Sequence, residues 1–307
     1  MREDEFPTDD DGSFVRATSG FRASVSTEAG AAHPVETERY HLYVAYACPW
    51  AHRTLIARSM LGLEAAVSLS VAEAYMGEDG WVFPADDRVQ RLWALYVQSD
   101  PEVTGRVTVP VLWDRSRERI VNNESREILR MLGTEMSALH REGAPDLAPE
   151  ELRGRIDDAI DAIYQPINNG VYRAGFARTQ EAHAEAVREL FAALDHWEGV
   201  LAEQRWMCGE RFTEADICMF TTLLRFDPVY VTHFKCNLRR LVDYPNLWGF
   251  TRDVYQQPGV ASTIHMDHIK EHYFRSHPSV NPRGLVPLGP IVDFEQPAGR
   301  EHLGRGA

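Results

Sequence analysis

The feature that most constrains the fold is a junction at Cys48, where an alternating segment gives way to a helical pattern. Residues 39–47, RYHLYVAYA, alternate and are rich in aromatic and branched side chains, which predicts a β-strand. Pro49 suits the first position of a helix, where a proline loses no hydrogen bond. Residues 50–63 carry apolar side chains near helical spacing, and Gly62 predicts the helix end. The sequence therefore predicts a strand that runs into a helix with Cys48 at the helix start.

The rest of the first half predicts a mixed sheet covered by helices. Residues 65–74, 107–114 and 119–125 have the composition of short strands, and residues 124–133 have the pattern of a helix. The expected order is strand, helix, strand, strand, strand, helix. A βαβ unit followed by a ββα unit gives a four-stranded mixed sheet with helices on its faces.

The second half of the chain changes to helical periodicity, which continues from about residue 149 to residue 257. Glycine and prolines mark a linker near residues 139–150. One helix start is sharply defined, because Thr213 and Asp216 have the spacing of a capping box. We therefore expect four segments: an arm over 1–37, an α/β domain over 38–140, an all-α domain over 149–270 and a C-terminal wrapping tail over 271–307.

Charge and composition exclude several classes of function. The net charge of −14 would repel a phosphate backbone, so no nucleic-acid partner is expected. Since no apolar run reaches about 18 residues, no membrane span is expected. The acidic N-terminus lacks the apolar core of a secretory signal, which predicts a cytoplasmic protein. No two cysteines have C-x2-C spacing, so neither a metal site nor a disulfide framework is expected among Cys48, Cys208, Cys218 and Cys236.

The position of Cys48 favours a reactive thiol over a small buried packing residue, which is the common role of a lone cysteine. A cysteine at a helix start faces unpaired backbone N–H groups and the positive end of the helix dipole. The pKa of a cysteine is about 8.5, and at a helix start it can fall to roughly 3.5–7.5. Ala51 occupies the position where a dithiol motif has its second cysteine. Cys48 would therefore form a mixed disulfide with a small thiol and be released by a second one.

Eight segments of the chain resemble segments that occur in the same order in one protein family. The chain resembles the xi-class glutathione transferases, the glutathionyl-hydroquinone reductases, in the segments YACPWAHR, GWVF, GRVTVPVLWD, IVNNES, NNGVYRAGFA, RFDPVYVTHFKCN, YQQPGV and HPSVNPRGLVPLGP. The resemblance implies a thioredoxin-like N-terminal domain followed by an all-helical domain. It also implies a homodimer that reduces glutathionyl-hydroquinones with glutathione and releases glutathione disulfide.

Three residues are candidates for binding glutathione, and two of them, Glu124 and Ser125, would bind its γ-glutamyl end. A cis bond before Pro110 would aim the Val109 backbone at a peptide-like ligand, while an ordinary trans bond at a strand start is the alternative. Glu124 and Ser125 open a helix, and simple capping is the alternative for both. In the ligand-binding interpretation, the Glu124 carboxylate takes the ligand's ammonium group, and Ser125 with the helix N-terminus takes its α-carboxylate.

The remaining candidate residues depend on the resemblance. It places Trp81 and Arg106 beside the glycyl end of glutathione, with Arg106 as a partner of the carboxylate; packing is the alternative for Trp81. It places Tyr172, Tyr230 and Tyr273 over the catalytic cysteine, lining a pocket for the hydroquinone. Phenol hydroxyls suit that role because they can donate to quinol oxygens and protonate a developing carbanion. Each tyrosine could instead be an ordinary core or rim residue.

The expected reaction needs neither a metal nor a nucleotide. Cys48 would attack the glutathionyl sulfur, the tyrosines would protonate the leaving carbon, and a second glutathione would resolve the mixed disulfide. The alternative within the superfamily is an omega-like thiol transferase or dehydroascorbate reductase, and γ-glutamylcysteine could replace glutathione as the thiol. A pure binding module is the alternative from another class, but such a module has no need of a cysteine at a helix start.

Overall fold

The computed structural model describes residues 7–86 and 89–304, which form two compact units. We call the first the α/β unit; it comprises Ala17–Asp146 and Pro258–His272. The second, the helical unit, comprises Leu147–Gln257, the described residues up to Arg16 and those from Tyr273 onward. The two units interleave along the chain, and the described part of the predicted arm contributes to both. The domain boundaries expected from the sequence stay a prediction.

A mixed sheet forms the centre of the α/β unit. Its elements in chain order are β1 (Tyr40–Val44), α1 (Pro49–Met60), β2 (Val67–Val71), α2 (Leu92–Ser99), β3 (Val111–Asp114), β4 (Arg119–Asn122) and α3 (Ser125–Gly133). In the described residues the sheet has four strands in the order β2-β1-β3-β4. Strand β1 is parallel to β2, while β3 is antiparallel to both β1 and β4. Every residue of the central strands β1 and β3 is buried. The predicted mixed sheet is confirmed.

Helix α2 is an element that the sequence interpretation missed, because it passed directly from the second strand to the third. The buried side chains of α2 are Leu92, Leu95 and Tyr96, which have the spacing of one helical face. Trp93 and Val97 on the other face are apolar as well, yet each is 46 % exposed. The apolar residues on the solvent side hide the helical period, so the pattern alone did not separate helix from strand.

The helical unit is built of helices, as its sequence pattern predicted. Its helices are α4 (Arg153–Ile163), α5 (Gly170–Phe176), α6 (Gln180–Glu203), α7 (Glu214–Leu223), α8 (Val231–His233), α9 (Pro245–Tyr255) and the last residues of α10 (Met266–Ser276). A π-helical turn at Phe226–Tyr230 separates α7 from α8 and interrupts the helical periodicity of this part of the sequence. This turn contains Pro228, which lacks the N–H that a regular helix would use. None of the described helices is both long and apolar enough to cross a bilayer.

The capping box predicted at the start of α7 is confirmed. The Asp216 carboxylate accepts hydrogen bonds from the Thr213 N–H at 2.8 Å and from the Met207 N–H at 2.8 Å. Asp216 is fully buried, and burial raises the pKa of its carboxyl from 3.8 to about 7, although these hydrogen bonds oppose the shift. The start of α7 is therefore stabilised by a buried carboxyl group whose protonation changes near neutral pH.

Candidate active site

Cys48 lies at the start of α1, as the strand-to-helix junction predicted. It is the N-cap residue, and its sulfur accepts a hydrogen bond from the Ala51 N–H at 3.5 Å. Its thiol donates to the Val109 carbonyl oxygen, also at 3.5 Å. Cys48 is half-buried, whereas Cys208, Cys218 and Cys236 are buried. Of the four cysteines, Cys48 therefore combines access to small molecules with the electrostatic setting of a helix N-terminus.

The segment before β3 brings the Val109 backbone to the cysteine. The Val109–Pro110 bond is cis, so the trans alternative left open by the sequence is wrong. The side chain of Val109 is only 4 % exposed, and its carbonyl oxygen is the group that faces the sulfur of Cys48. The sequence-predicted residues Cys48 and Val109 thus meet in the structure.

Tyr96 holds this segment in place and was missed by the sequence interpretation. Its hydroxyl donates to the Thr108 carbonyl at 2.8 Å and accepts from the Thr108 N–H at 3.1 Å. The same hydroxyl accepts a hydrogen bond at 3.0 Å from Nδ2 of Asn123, the residue before Glu124. Burial raises the pKa of Tyr96, so the phenol stays neutral and keeps its donated hydrogen bond. Assigning residues 92–99 to a helix would have placed Tyr96 on the buried face of α2, but it would not have placed its hydroxyl beside Thr108.

Glu124 and Ser125 stand at the start of α3, where the sequence placed them. Glu124 is the N-cap residue and its carboxylate accepts from the Arg126 N–H at 3.3 Å, as in the capping alternative. The other carboxylate oxygen accepts from Ser19 Oγ at 3.0 Å. Ser125 is 3 % exposed, and its hydroxyl accepts from Arg53 Nη1 at 3.4 Å. Capping is thus shown for Glu124, and the ligand-binding role of both residues stays a prediction.

Arg53 is a second residue that the sequence interpretation passed over. This α1 side chain is 2 % exposed, and its guanidinium carbon lies 4.6 Å from the centre of the Trp50 ring. Trp50 therefore packs against a buried cation. Because Arg53 also reaches Ser125, a buried positive charge lies beside the start of α3. Both this charge and the helix dipole favour an anionic group at that point.

The two residues predicted for the glycyl end of glutathione have different settings. Trp81 is buried, and its ring stacks on His272 with the ring centres 4.9 Å apart and an angle of 22° between the planes. His272 is itself held by a 2.9 Å hydrogen bond between its Nδ1 and the carbonyl oxygen of Ala74. Arg106 is exposed on the segment that precedes β3. Trp81 therefore has the packing contacts of the alternative interpretation, and a role in binding stays a prediction for both residues.

The helical unit brings the three predicted tyrosines together, although more than a hundred residues separate the first from the last. Tyr172 lies on α5, Tyr230 ends the π-helical turn and Tyr273 lies on α10. The hydroxyl oxygen of Tyr273 lies 2.5 Å from that of Tyr172 and 3.1 Å from that of Tyr230. We call these three residues the tyrosine cluster. Their exposed fractions are 9 % for Tyr172, 0 % for Tyr230 and 2 % for Tyr273.

Tyr230 and Tyr273 are neutral phenols at ordinary pH. Burial raises the pKa of Tyr230 and of Tyr273 well above the ordinary range, and the adjacent Tyr172 raises both further. The fully buried Arg225 acts in the opposite direction on both groups. Because the hydroxyls are joined to one another, a phenolate formed at one of them would be stabilised by hydrogen bonds from its neighbours. The arrangement can therefore give a proton to a strong base such as a carbanion.

Comparison with protein families covers both halves of the chain. Residues 47–135 match the family "Glutathione S-transferase, N-terminal domain", and residues 180–253 match "Glutathione S-transferase, C-terminal domain". The first match contains Cys48 and the segment around Val109. The second contains α7 and the π-helical turn with Tyr230.

Individual relatives are similar over nearly their whole length. The chain is 49 % identical over 306 residues to the glutathionyl-hydroquinone reductase YqjG of Escherichia coli, covering 94 % of this chain and 93 % of that protein. It is 50 % identical over 289 residues to the glutathionyl-hydroquinone reductase PcpF of Sphingobium chlorophenolicum, covering 91 % and 90 %. Among solved structures, a xi-class glutathione transferase from Natrialba magadii has a TM-score of 0.90 at 53 % identity, covering 94 % of this chain and 90 % of that chain. The glutathione-bound structure of YqjG has a TM-score of 0.86 at 48 % identity, covering 91 % and 96 %.

Proposed function

Because the chain belongs to the xi-class glutathione transferase family, the glutathionyl-hydroquinone reductases, we propose that it reduces glutathionyl-hydroquinones to hydroquinones with glutathione as the co-substrate. The observation that carries the proposal is Cys48 at the N-cap of α1, half-buried and with its sulfur 3.5 Å from the Ala51 N–H. Relatives about half identical over most of their length bear the same activity in their names, and one of them was solved with glutathione bound.

The first step is the attack of the Cys48 thiolate on the sulfur of the glutathionyl group. A bond forms between the cysteine sulfur and the glutathione sulfur, and the bond between that sulfur and the aromatic carbon breaks. The electron pair of the broken bond stays on the aromatic carbon. The sulfur is thereby oxidised to a mixed disulfide, while the carbon is reduced and left as a carbanion or as its enol-like equivalent.

The tyrosine cluster then supplies the proton that the carbon requires. A phenol hydroxyl gives its proton to the carbon and becomes a phenolate, which the neighbouring hydroxyls stabilise through the hydrogen bonds of Tyr172, Tyr230 and Tyr273. Water returns the proton after the hydroquinone leaves. A general acid is needed here because carbon, unlike a thiolate, is a poor leaving group without a proton.

A second glutathione completes the cycle. Its thiolate attacks the glutathione sulfur of the mixed disulfide, which forms glutathione disulfide and releases the Cys48 thiolate. The balance is one glutathionyl-hydroquinone and one glutathione consumed for one hydroquinone and one glutathione disulfide formed.

The thiol is held, in this proposal, by the residues around the starts of α1 and α3. The Val109 backbone pairs with the peptide of glutathione, the Glu124 carboxylate takes its ammonium group, and Ser125 takes its α-carboxylate with support from the α3 dipole. Trp81 and Arg106 serve the glycyl end. The buried Arg53 charge beside Ser125 supports the assignment of the α-carboxylate to this end.

We also propose a homodimer that works in the cytoplasm. The dimer follows from the resemblance to the family, and light scattering on the purified protein measures it directly. The compartment follows from the chemistry, because the reaction consumes a reduced thiol, which reducing compartments supply.

The deciding experiment gives the purified protein a synthetic glutathionyl-hydroquinone and glutathione. Hydroquinone and glutathione disulfide should form in equal amounts. Cys48→Ser should abolish turnover because an alcohol is a poor nucleophile toward sulfur, while Cys208→Ser serves as the control. If Cys48→Ala kept more than about a tenth of wild-type turnover, which corresponds to only about 1.4 kcal/mol of barrier, covalent catalysis by Cys48 would be wrong.

Two parallel assays separate the proposal from its alternatives. An omega-like enzyme would turn over dehydroascorbate or hydroxyethyl disulfide and leave the glutathionyl-hydroquinone unchanged. Replacing glutathione by γ-glutamylcysteine identifies the preferred thiol, because the two molecules differ only in the glycine that Trp81 and Arg106 are proposed to meet.

A further inference from the structure

The described arm that precedes Arg16 is hydrogen-bonded to the residues that join α5 to α6. The Arg178 N–H donates to the Gly12 carbonyl at 3.0 Å, and the Thr179 hydroxyl donates to the Asp11 carbonyl at 3.0 Å. Gly12 has a φ of +88°, and a Cβ placed there would lie 2.8 Å from Thr179 Cγ2. Only glycine fits this close approach without strain. Gly12 is therefore held against Thr179, between α5 and α6.

From that anchor the arm continues toward the N-terminal end of α5. The Phe14 ring packs on Phe176 with the ring centres 5.6 Å apart, and Phe14 is only 5 % exposed. Two residues later, Arg16 Nε donates to Asn169 Oδ1 at 2.7 Å, immediately before α5 begins. The arm therefore lies along the whole helix that carries Tyr172, with contacts at both ends.

Arg16 places a positive charge on the tyrosine cluster. Its guanidinium carbon lies 4.8 Å from the centre of the Tyr172 ring, within the range of a cation–π contact. The hydrogen bond to Asn169 fixes the guanidinium in that position. Tyr172 is the most exposed of the three tyrosines, and its hydroxyl makes the 2.5 Å contact with Tyr273.

We propose that Arg16 is a positioning residue of the reaction, which acts through Tyr172 to stabilise the negative charge that the tyrosine cluster carries after it has donated its proton. A cation over the ring of a phenol favours the phenolate over the neutral phenol. The charge is needed only while the cluster is ionised, so its effect falls on proton donation to carbon and not on thiol exchange. This inference rests on the proposed function.

The other charged and titratable groups near the tyrosine cluster lie closer to Tyr230 and Tyr273. Arg225 is fully buried, and its charge opposes the rise that burial causes in the pKa of Tyr230 and of Tyr273. The rings of His233 and His277 lie 6.2 Å and 5.6 Å from that of Tyr273. These two imidazoles share a 3.0 Å hydrogen bond with each other. Arg16 differs from these groups because its guanidinium lies over the ring of Tyr172 itself.

The test compares Arg16→Gln and Arg16→Lys with a matched control. Arg239→Gln removes a contact of the same kind, since the Arg239 guanidinium carbon lies 4.5 Å from the centre of the Tyr244 ring, outside the cluster. Arg16→Gln should lower kcat for the glutathionyl-hydroquinone about tenfold, with the KM for glutathione and the turnover of hydroxyethyl disulfide near wild type. Arg16→Lys should restore part of the loss because lysine keeps the charge, and Arg239→Gln should leave both activities unchanged.

A double-mutant cycle with Tyr172→Phe then tests whether Arg16 acts through that hydroxyl. In the Tyr172→Phe background, Arg16→Gln should cause little further loss, because the group it supports is gone. Additive losses, or equal losses on both substrates, would show a structural role and overturn the inference. A wild-type protein that fails to reduce the glutathionyl-hydroquinone would overturn the proposed function as well, whereas an active wild type with an unaffected Arg16→Gln variant overturns only the role of Arg16.

Discussion

The sulfur of Cys48 lies 3.5 Å from the backbone N–H of Ala51, so the side chain of the cysteine takes the place that a serine or aspartate usually has at a helix start. A negative charge on that sulfur would be met by a backbone donor and by the positive end of the α1 dipole. A neutral thiol gains much less from the same contacts. These two features favour the thiolate that the proposed reaction requires, and they act against the Val109 carbonyl oxygen, which accepts a hydrogen bond only from the neutral thiol.

Cys48 should react with iodoacetamide faster than the other cysteines at about pH 6–7. Cys208 is an internal control, because burial raises the pKa of its thiol to about 11. Burial also raises the pKa of Cys236 well above the ordinary range. Mass mapping of the alkylated peptides as a function of pH gives the rate at each site. An apparent pKa of about 8.5 for Cys48 would contradict the thiolate argument.

Glu124→Gln and Ser125→Ala should raise the KM for glutathione more than they lower kcat. Both side chains are proposed to hold the γ-glutamyl end, and losing a charge-assisted contact costs about 1.5–3 kcal/mol. Steady-state kinetics with varied glutathione gives both constants.

Glu127→Gln is the matched control for this pair of variants. Glu127 lies on the same helix, but its carboxylate accepts hydrogen bonds from Arg22 Nε and Asn122 Nδ2. The KM of the Glu127→Gln variant for glutathione should stay near wild type. If both test variants kept the wild-type KM, Glu124 and Ser125 would be capping residues alone.

Replacing the tyrosines by phenylalanine should separate proton donation to carbon from thiol–disulfide exchange. Tyr172→Phe, Tyr230→Phe and Tyr273→Phe keep the rings and remove the hydroxyls. In combination they should lower turnover of the glutathionyl-hydroquinone by about 10²–10⁴, as expected for loss of a general acid. Turnover of hydroxyethyl disulfide should change little, because a thiolate leaves without a proton. Equal losses on both substrates would mean that the tyrosines are structural, and no loss on either would mean that their hydroxyls are not the general acid.

The stability of the protein should depend on the protonation of Asp216. Its pKa is raised to about 7 in the folded state from an ordinary 3.8, so between these values the folded protein binds a proton that the unfolded chain releases. The free energy of unfolding should therefore fall as the pH rises from about 4 to about 7, by at most about 1.4 kcal/mol per pH unit. Urea unfolding across this range measures the slope.

Asp216→Asn should remove that slope, whatever it does to the absolute stability. Asp243→Asn is the control, because the exposed Asp243 carboxylate accepts hydrogen bonds from the backbone N–H and the guanidinium of Arg240, which lower its pKa. The stabilisation from Asp243 is present at neutral pH and is lost as the pH falls, which is the opposite dependence. A slope that survived in Asp216→Asn would assign the pH dependence to another group.

The sequence by itself determined the features that depend on neighbouring residues. The strand-to-helix junction at Cys48 and the capping box of Thr213 and Asp216 could be predicted because each depends on side chains within a few positions. The succession of the four strands along the chain also followed from local patterns, whereas their order in the sheet did not. Helix α2 did not, because apolar Trp93 and Val97 on its solvent side masked its period.

The tertiary structure decided which distant residues meet. Tyr172, Tyr230 and Tyr273 come from three separate elements, and only their packing brings the hydroxyl oxygens to 2.5 Å and 3.1 Å from one another. The resemblance to the family named these tyrosines, but no spacing in the sequence indicated Arg16 or Tyr96. Periodicity reports which face of an element is buried and not what it is buried against. Contacts between residues far apart in the chain therefore become visible only once the elements have packed.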